Sequence, residues 1–164
     1  MAEPVNYMAS LQLRCEAVET LQSVPGADAP TLNNDGFNWN LTQLTTATSP
    51  VVDRVSYQEY TIGGGGTVDI DLVALASSQG TIVGTGKKMQ FIVVNNTAAH
   101  SINVAQGATN AYLLFGSGND IDMPAGSKFA FYVPEGLADI SSSVRNIRIT
   151  GTAADVVEVG IWLG

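Results

Sequence analysis

From Thr67 onward the chain alternates apolar and polar residues with period two, and this constrains its fold more than any other feature. In TVDIDL, Val68, Ile70 and Leu72 fall on one face and Asp69 and Asp71 on the other, as in a strand with one face against a core. KMQFIVV groups Met89, Phe91 and Val93, but Ile92 and Val94 make its second face apolar too, so this strand is expected to be covered on both sides. SINV, KFAFYV, RNIRIT and DVVEVGIWLG continue the alternation. They direct inward Ile102 and Val104, then Phe129, Phe131 and Val133, then Ile147 and Ile149, and finally Val157, Val159, Ile161 and Leu163. Clusters of turn-forming residues (SSQG, GTGK, VNNT, AQGATN, GSGND, PAGS, PEG) separate these segments. Short strands at such intervals predict an all-β chain, an antiparallel β-sandwich of jelly-roll-like form, rather than alternating βα units.

Residues 1–50 are less regular and read as an extended N-terminal arm with an irregular excursion, preceding a β-sandwich core over residues 51–164 in a single domain overall. MASLQLRCEAV reads as a strand, with Leu11, Leu13, Cys15 and Ala17 alternating, or as a helix with Met8, Leu11, Cys15 and Val18 on one side. The Ser, Thr, Asn and Pro that follow are poor helix formers, which favours the strand or arm. Residues 24–50 are expected to run irregularly, with one strand near Phe37 to Leu44; connections of this length usually serve a function or reach a partner. The arm is accordingly expected to lie against another chain.

Charge narrows the function classes. Of 164 residues only 13% are charged, against about 25% in ordinary soluble domains, a composition that suits a surface held in contact with neighbours. The net charge of −8 and the scattered positions of the seven bases argue against direct nucleic-acid binding, which needs clustered cations. The start MAEPVNYMASLQLRC has no basic run leading into an apolar one, and no segment approaches the roughly 18 apolar residues of a membrane span. The expectation is therefore synthesis in the cytosol, with no membrane partner. The single cysteine, Cys15, excludes an intrachain disulfide.

Several motifs resemble chemical sites. The four glycines of TIGGGGTVDIDL, Gly63 to Gly66, would need a following helix to cradle a phosphate, but an alternating strand follows, so they read as a connection. Asp69 and Asp71 then form a solvated pair. GTIVGTGKK lacks the first glycine of a phosphate loop (Thr81 stands there) and has Lys88 where a magnesium-binding hydroxyl belongs; it reads as a turn, with Lys87 and Lys88 available to a partner's acids. FGSGNDID matches most of a calcium-binding nonapeptide, but such units bind only in tandem and one copy is present, so it reads as a turn delivering Ile121 and Met123 to the core. His100, the sole histidine, has no nucleophile elbow near it, and Cys15 has no supporting motif. No catalytic activity, cofactor or metal is expected. Phe37 and Trp39 in DGFNWNLT would share one strand face, filling a core or subunit seam, or stacking on a sugar with Tyr112 nearby. Trp162, beside Gly160 on the outward face of the last strand, suits either an interface anchor or intrachain packing.

The segments VDIDLVAL, GTGKKMQFIVVNN, NAYLLFGSGNDIDMPAGSKFAFYVPEG and TAADVVEVGIWLG together resemble the small β-rich virion proteins of tailed bacteriophages, over roughly Thr67 to Gly164. The resemblance is one of layout: a Gly-rich turn, an apolar strand, an N-x-Y-x-L-x-G segment, a PAG turn and a final strand ending in Gly. It implies a sandwich or jelly roll that decorates or cements a capsid, commonly as a homotrimer, with the major capsid protein as partner and the virion surface as location. A head or tail adaptor would look similar. Leu11, Leu13, Phe37, Trp39, Lys87, Lys88 and Trp162 are the expected interface residues. The alternative is a carbohydrate- or receptor-binding sandwich.

Overall fold

The computed structural model describes residues 8–20 and 31–44 at the level of the backbone, and residues 52, 54–77 and 80–164 with side chains. No helix occurs among the described residues. The chain divides into two units, Met8–Leu44 and the remainder.

The first unit is one long antiparallel hairpin, β1 (Met8–Thr20) with β2 (Thr31–Leu44). Its register sets Leu11 opposite Leu41, Leu13 opposite Trp39 and Cys15 opposite Phe37, with a shift between Cys15 and Ala17. The strand reading of residues 8–18 thus holds. The second strand begins at Thr31 rather than near Phe37, because a paired backbone satisfies its hydrogen bonds through the ladder even where side-chain propensity is poor.

The second unit contains β3 (Arg54–Thr61), β4 (Thr67–Asp71), β5 (Leu75–Ser77), β6 (Gly80–Ile82), β7 (Met89–Asn96), β8 (Ile102–Gln106), β9 (Asp120–Met123), β10 (Lys128–Tyr132), β11 (Asn146–Thr150) and β12 (Val156–Leu163). Apart from the small β5–β6 hairpin, these strands form two four-stranded sheets, ordered β10-β7-β12-β3 and β4-β11-β8-β9. The first of these eight strands pairs with the last, the second with the seventh, the third with the sixth and the fourth with the fifth, all antiparallel. That is the strand order of a jelly roll, as the alternation predicts.

The two sheets share one core. Ile92, Val94, Val157, Val159 and Ile161 come from one inner face, and Ile70, Ile102, Val104, Met123, Ile147 and Ile149 from the other, all at most 2% exposed. Burying a side chain of this kind is worth about 1.5–3 kcal/mol. At one flank Phe115 meets Phe129 and Phe131 edge-on, at centroid distances of 5.6 and 5.9 Å. The glycines around Phe115 therefore serve the turn that brings it there: Gly116 and Gly118 have φ of 89° and 75°. Ile121 is half-buried and Met123 buried, as the turn reading requires.

The four-glycine segment joins β3 to β4 across the two sheets. Gly66 has φ of 72°, and a Cβ on it would lie 3.0 Å from the Gly151 carbonyl, whereas Gly64 and Gly65 face open space. One glycine of this run is demanded by its conformation, and the phosphate reading finds no helix to support it.

The opposite ends of the sandwich are held differently. At one end Asn96, fully buried, donates from Nδ2 to the carbonyls of His100, Met123 and Pro124. At the other, the buried Tyr112 hydroxyl donates to the Ala138 carbonyl at 2.7 Å and accepts from the Met89 amide at 3.2 Å. Burial pushes its pKa up to about 12.

Candidate functional site

The most site-like surface is the outer face of sheet β10-β7-β12-β3. A sandwich strand needs only one face for the core, and of the outward residues of these four strands Tyr57, Glu59, Lys128 and Ala130 are exposed while Phe91 and Trp162 are buried. Register aligns them in three rows. The first is Val55, Trp162, Phe91 and Tyr132, and the second is Tyr57, Gly160, Val93 and Ala130. The third is Glu59, Glu158, Asn95 and Lys128. Two adjacent rows are apolar or aromatic and the third is charged, so the apolar area is bordered on one side by polar groups.

Within this face Trp162 is 8% exposed, with its ring centroid 4.4 Å from that of Phe91 and the planes inclined by 35°. Of its two sequence readings, the structure displays intrachain packing. Tyr57, by contrast, is 59% exposed. A Cβ built on Gly160 would lie 3.4 Å from Tyr57 Cδ2 and 2.8 Å from Val93 Cγ1. The Tyr57 ring therefore leans across the strip that Gly160 leaves bare. Its hydroxyl donates to Glu158, which holds the Tyr57 pKa above its ordinary value. Glu158 also accepts Asn95 Nδ2 at 2.6 Å. Those hydrogen bonds, from Asn95 first and then Tyr57, with the Lys128 charge beyond, hold its carboxyl below the usual range.

The outer face of the other sheet is different in kind. Arg148 donates to both Asp69 oxygens at 2.7 Å, which lowers the Asp69 pKa. Asp71 lies 3.6 Å from Arg145, and Asn103 Nδ2 bridges Asp120 and Asp122 at 2.8 Å each. Asp69 and Asp71 thus lie on the outward face as expected, with side chains 38% and 35% exposed, and each in addition pairs with an arginine of the β11 segment. Alternation placed the aspartates on one face; the cross-strand partner was invisible because pairing order is a tertiary property. Among the described residues no group of three or more His, Cys, Asp or Glu side chains is disposed to hold a metal.

The remaining sequence candidates are dispersed. Lys88 Nζ lies 3.9 Å from Asp139 of its own chain, with both side chains well exposed, and Lys87 is half-buried in the same turn. His100 Nδ1 lies 3.1 Å from the carboxylate of Asp155, joining two loops at one end of the sandwich. Tyr112 is fully buried, so it offers no sugar-stacking surface. The side chains of Leu11, Leu13, Cys15, Phe37 and Trp39 lie outside the described residues. Sequence reading passed over Tyr57; its signal was an aromatic on an outward strand position, which only the register with Gly160 makes conspicuous.

No protein family and no curated protein matches this chain. Among solved structures, a de novo designed double-stranded β-helix determined by solution NMR aligns with 68% of this chain and 99% of its own, at 12% identity and a TM-score of 0.32. A likeness at that level carries no argument, and the fold assignment above rests on strand order alone.

Proposed function

We propose that this protein is a non-enzymatic structural component of a tailed-bacteriophage virion. In this reading it binds the outer surface of the capsid as a homotrimer and cements the shell, with the major capsid protein and its own copies as partners. The reading is supported by the outer face of sheet β10-β7-β12-β3, where the exposed Tyr57 and Ala130 flank the half-buried Val93, while Trp162 and Phe91 of the neighbouring row are already buried within the chain. A chain with so few charges has little else to keep such a face apart from neighbours. The hairpin β1–β2 adds an antiparallel element of the kind that extends to adjoining subunits. Repeated attachment around a shell lets weak single contacts sum to a firm hold.

Co-sedimentation with purified, undecorated phage shells tests this. The full-length protein is expected to pellet with the shells at a saturating ratio and to raise their resistance to heat. Protein that stays in the supernatant at every ratio, while shells of several phage types sediment alone, would refute the reading.

A further inference from the structure

We infer that the Tyr57–Glu59 corner of this sheet face is a docking point for an arginine side chain of a partner protein. The inference rests on reading this face as a contact surface, and it holds or fails independently of the virion assignment.

Glu59 and Glu158 stand directly opposite each other on β3 and β12. Like charges at opposed positions of an antiparallel pair destabilise it. Glu158 is relieved by Asn95, Tyr57 and the charge of Lys128. Glu59 is exposed, and its carboxylate has no partner among the described residues. A negative charge has thus been left at the one end of the row that lies farthest from Lys128.

Next to it is a held aromatic ring. Tyr57 leans over Gly160 and is tied at its hydroxyl to Glu158, yet 59% of the residue is exposed. One ring face is turned to the sheet and the other to solvent, with little side-chain freedom left to lose on binding. The π-face attracts cations. Tyr57 and Glu59 are two residues apart on one strand face, about 7 Å, so a planar cation stacked on the ring brings its edge to the carboxylate. Guanidinium fits this better than ammonium, because it stacks flat and donates in a fork to a carboxylate. On the far side of Tyr57 the half-buried Val55 is open to the methylene stem of that arginine, Trp162 and Phe91 beyond it being buried. The net charge of −8 favours approach of a basic segment from any direction.

The test is an amide NMR titration of the full-length protein with N-acetyl-arginine amide, set against its neutral isostere N-acetyl-citrulline amide. Arginine should shift the amides of Tyr57, Glu59, Glu158 and Gly160 in a saturable way, and citrulline should not. Glu59→Gln, which keeps shape and fold, should weaken binding about threefold to fivefold, and Tyr57→Leu should weaken it comparably with the β-core spectrum intact. Shifts spread evenly over the surface acids, or equal binding by Glu59→Gln, would overturn the inference. So would a second copy of the chain occupying the face, seen as resonances of these residues that depend on protein concentration and not on arginine.

Discussion

Tyr112 shows how one side chain can tie a loop to a sheet. Its hydroxyl serves both the Met89 amide and the Ala138 carbonyl inside the core, so Tyr112→Phe leaves two backbone groups unpaired. The expected loss is about 1–3 kcal/mol in denaturant unfolding. The pH dependence follows from a pKa raised from 10.0 to about 12. The folded state keeps the proton that the unfolded state gives up first, so this contribution is complete below pH 10 and is lost as pH rises toward 12. Stability of the native protein should therefore fall across that window, on the order of 2–3 kcal/mol from this group, and Tyr112→Phe should fall less steeply. At the other end of the sandwich, Asn96→Ala removes the donors to three carbonyls and the acceptor for the Ala98 amide. Unfolding titrations should show a loss of about 2 kcal/mol or more. Neither role was legible in the sequence: VNNT reads as a turn and NAY as loop, since a hydrogen bond between residues far apart in the chain leaves no local pattern. An exposed Tyr112 would have favoured the sugar-binding alternative, and its burial removes that support.

At the level of elements, what the sequence made visible was the long alternating strands. β11 and β12 carry enough inward residues for the period to declare itself, and their faces are as expected; in β7, apolar on both faces, the period could not choose, and the structure turns Ile92 and Val94 inward and puts Met89 in the core rather than with Phe91 and Val93. β5, β6 and β9 span only three or four residues, two periods at most, and read as parts of turns. Glycine meaning was legible only in part. A Cβ at Gly84 would lie 2.1 Å from the Leu72 carbonyl oxygen, a backbone atom that cannot step aside, while Gly65 has nothing within 4 Å. Gly84→Ala should therefore destabilise by about 1–3 kcal/mol or more, and Gly65→Ala should change stability by less than about 0.5 kcal/mol. Thermal melts of the two variants check this directly. The four-glycine run that draws the eye in the sequence is thus mostly tolerant, and Gly84, the first glycine of IVGTG, is not.

For the whole molecule, the eight-strand pairing order makes the sandwich self-sufficient in its core, and the hairpin β1–β2 forms a unit of its own. Deleting residues 1–44 should accordingly leave a cooperatively folded β-core by circular dichroism while abolishing attachment to shells; equal attachment by the truncated protein would remove the hairpin from the interface. The proposed assembly draws from the sequence only a lean in composition, because low charge is compatible with a covered surface without saying what covers it. The mass of the full-length protein in solution, by sedimentation equilibrium across a wide concentration range, tests the central claim that this chain works as a self-assembled unit. The account predicts a particle of three times the 17.1 kDa of the chain. A mass of one chain at every concentration would contradict it.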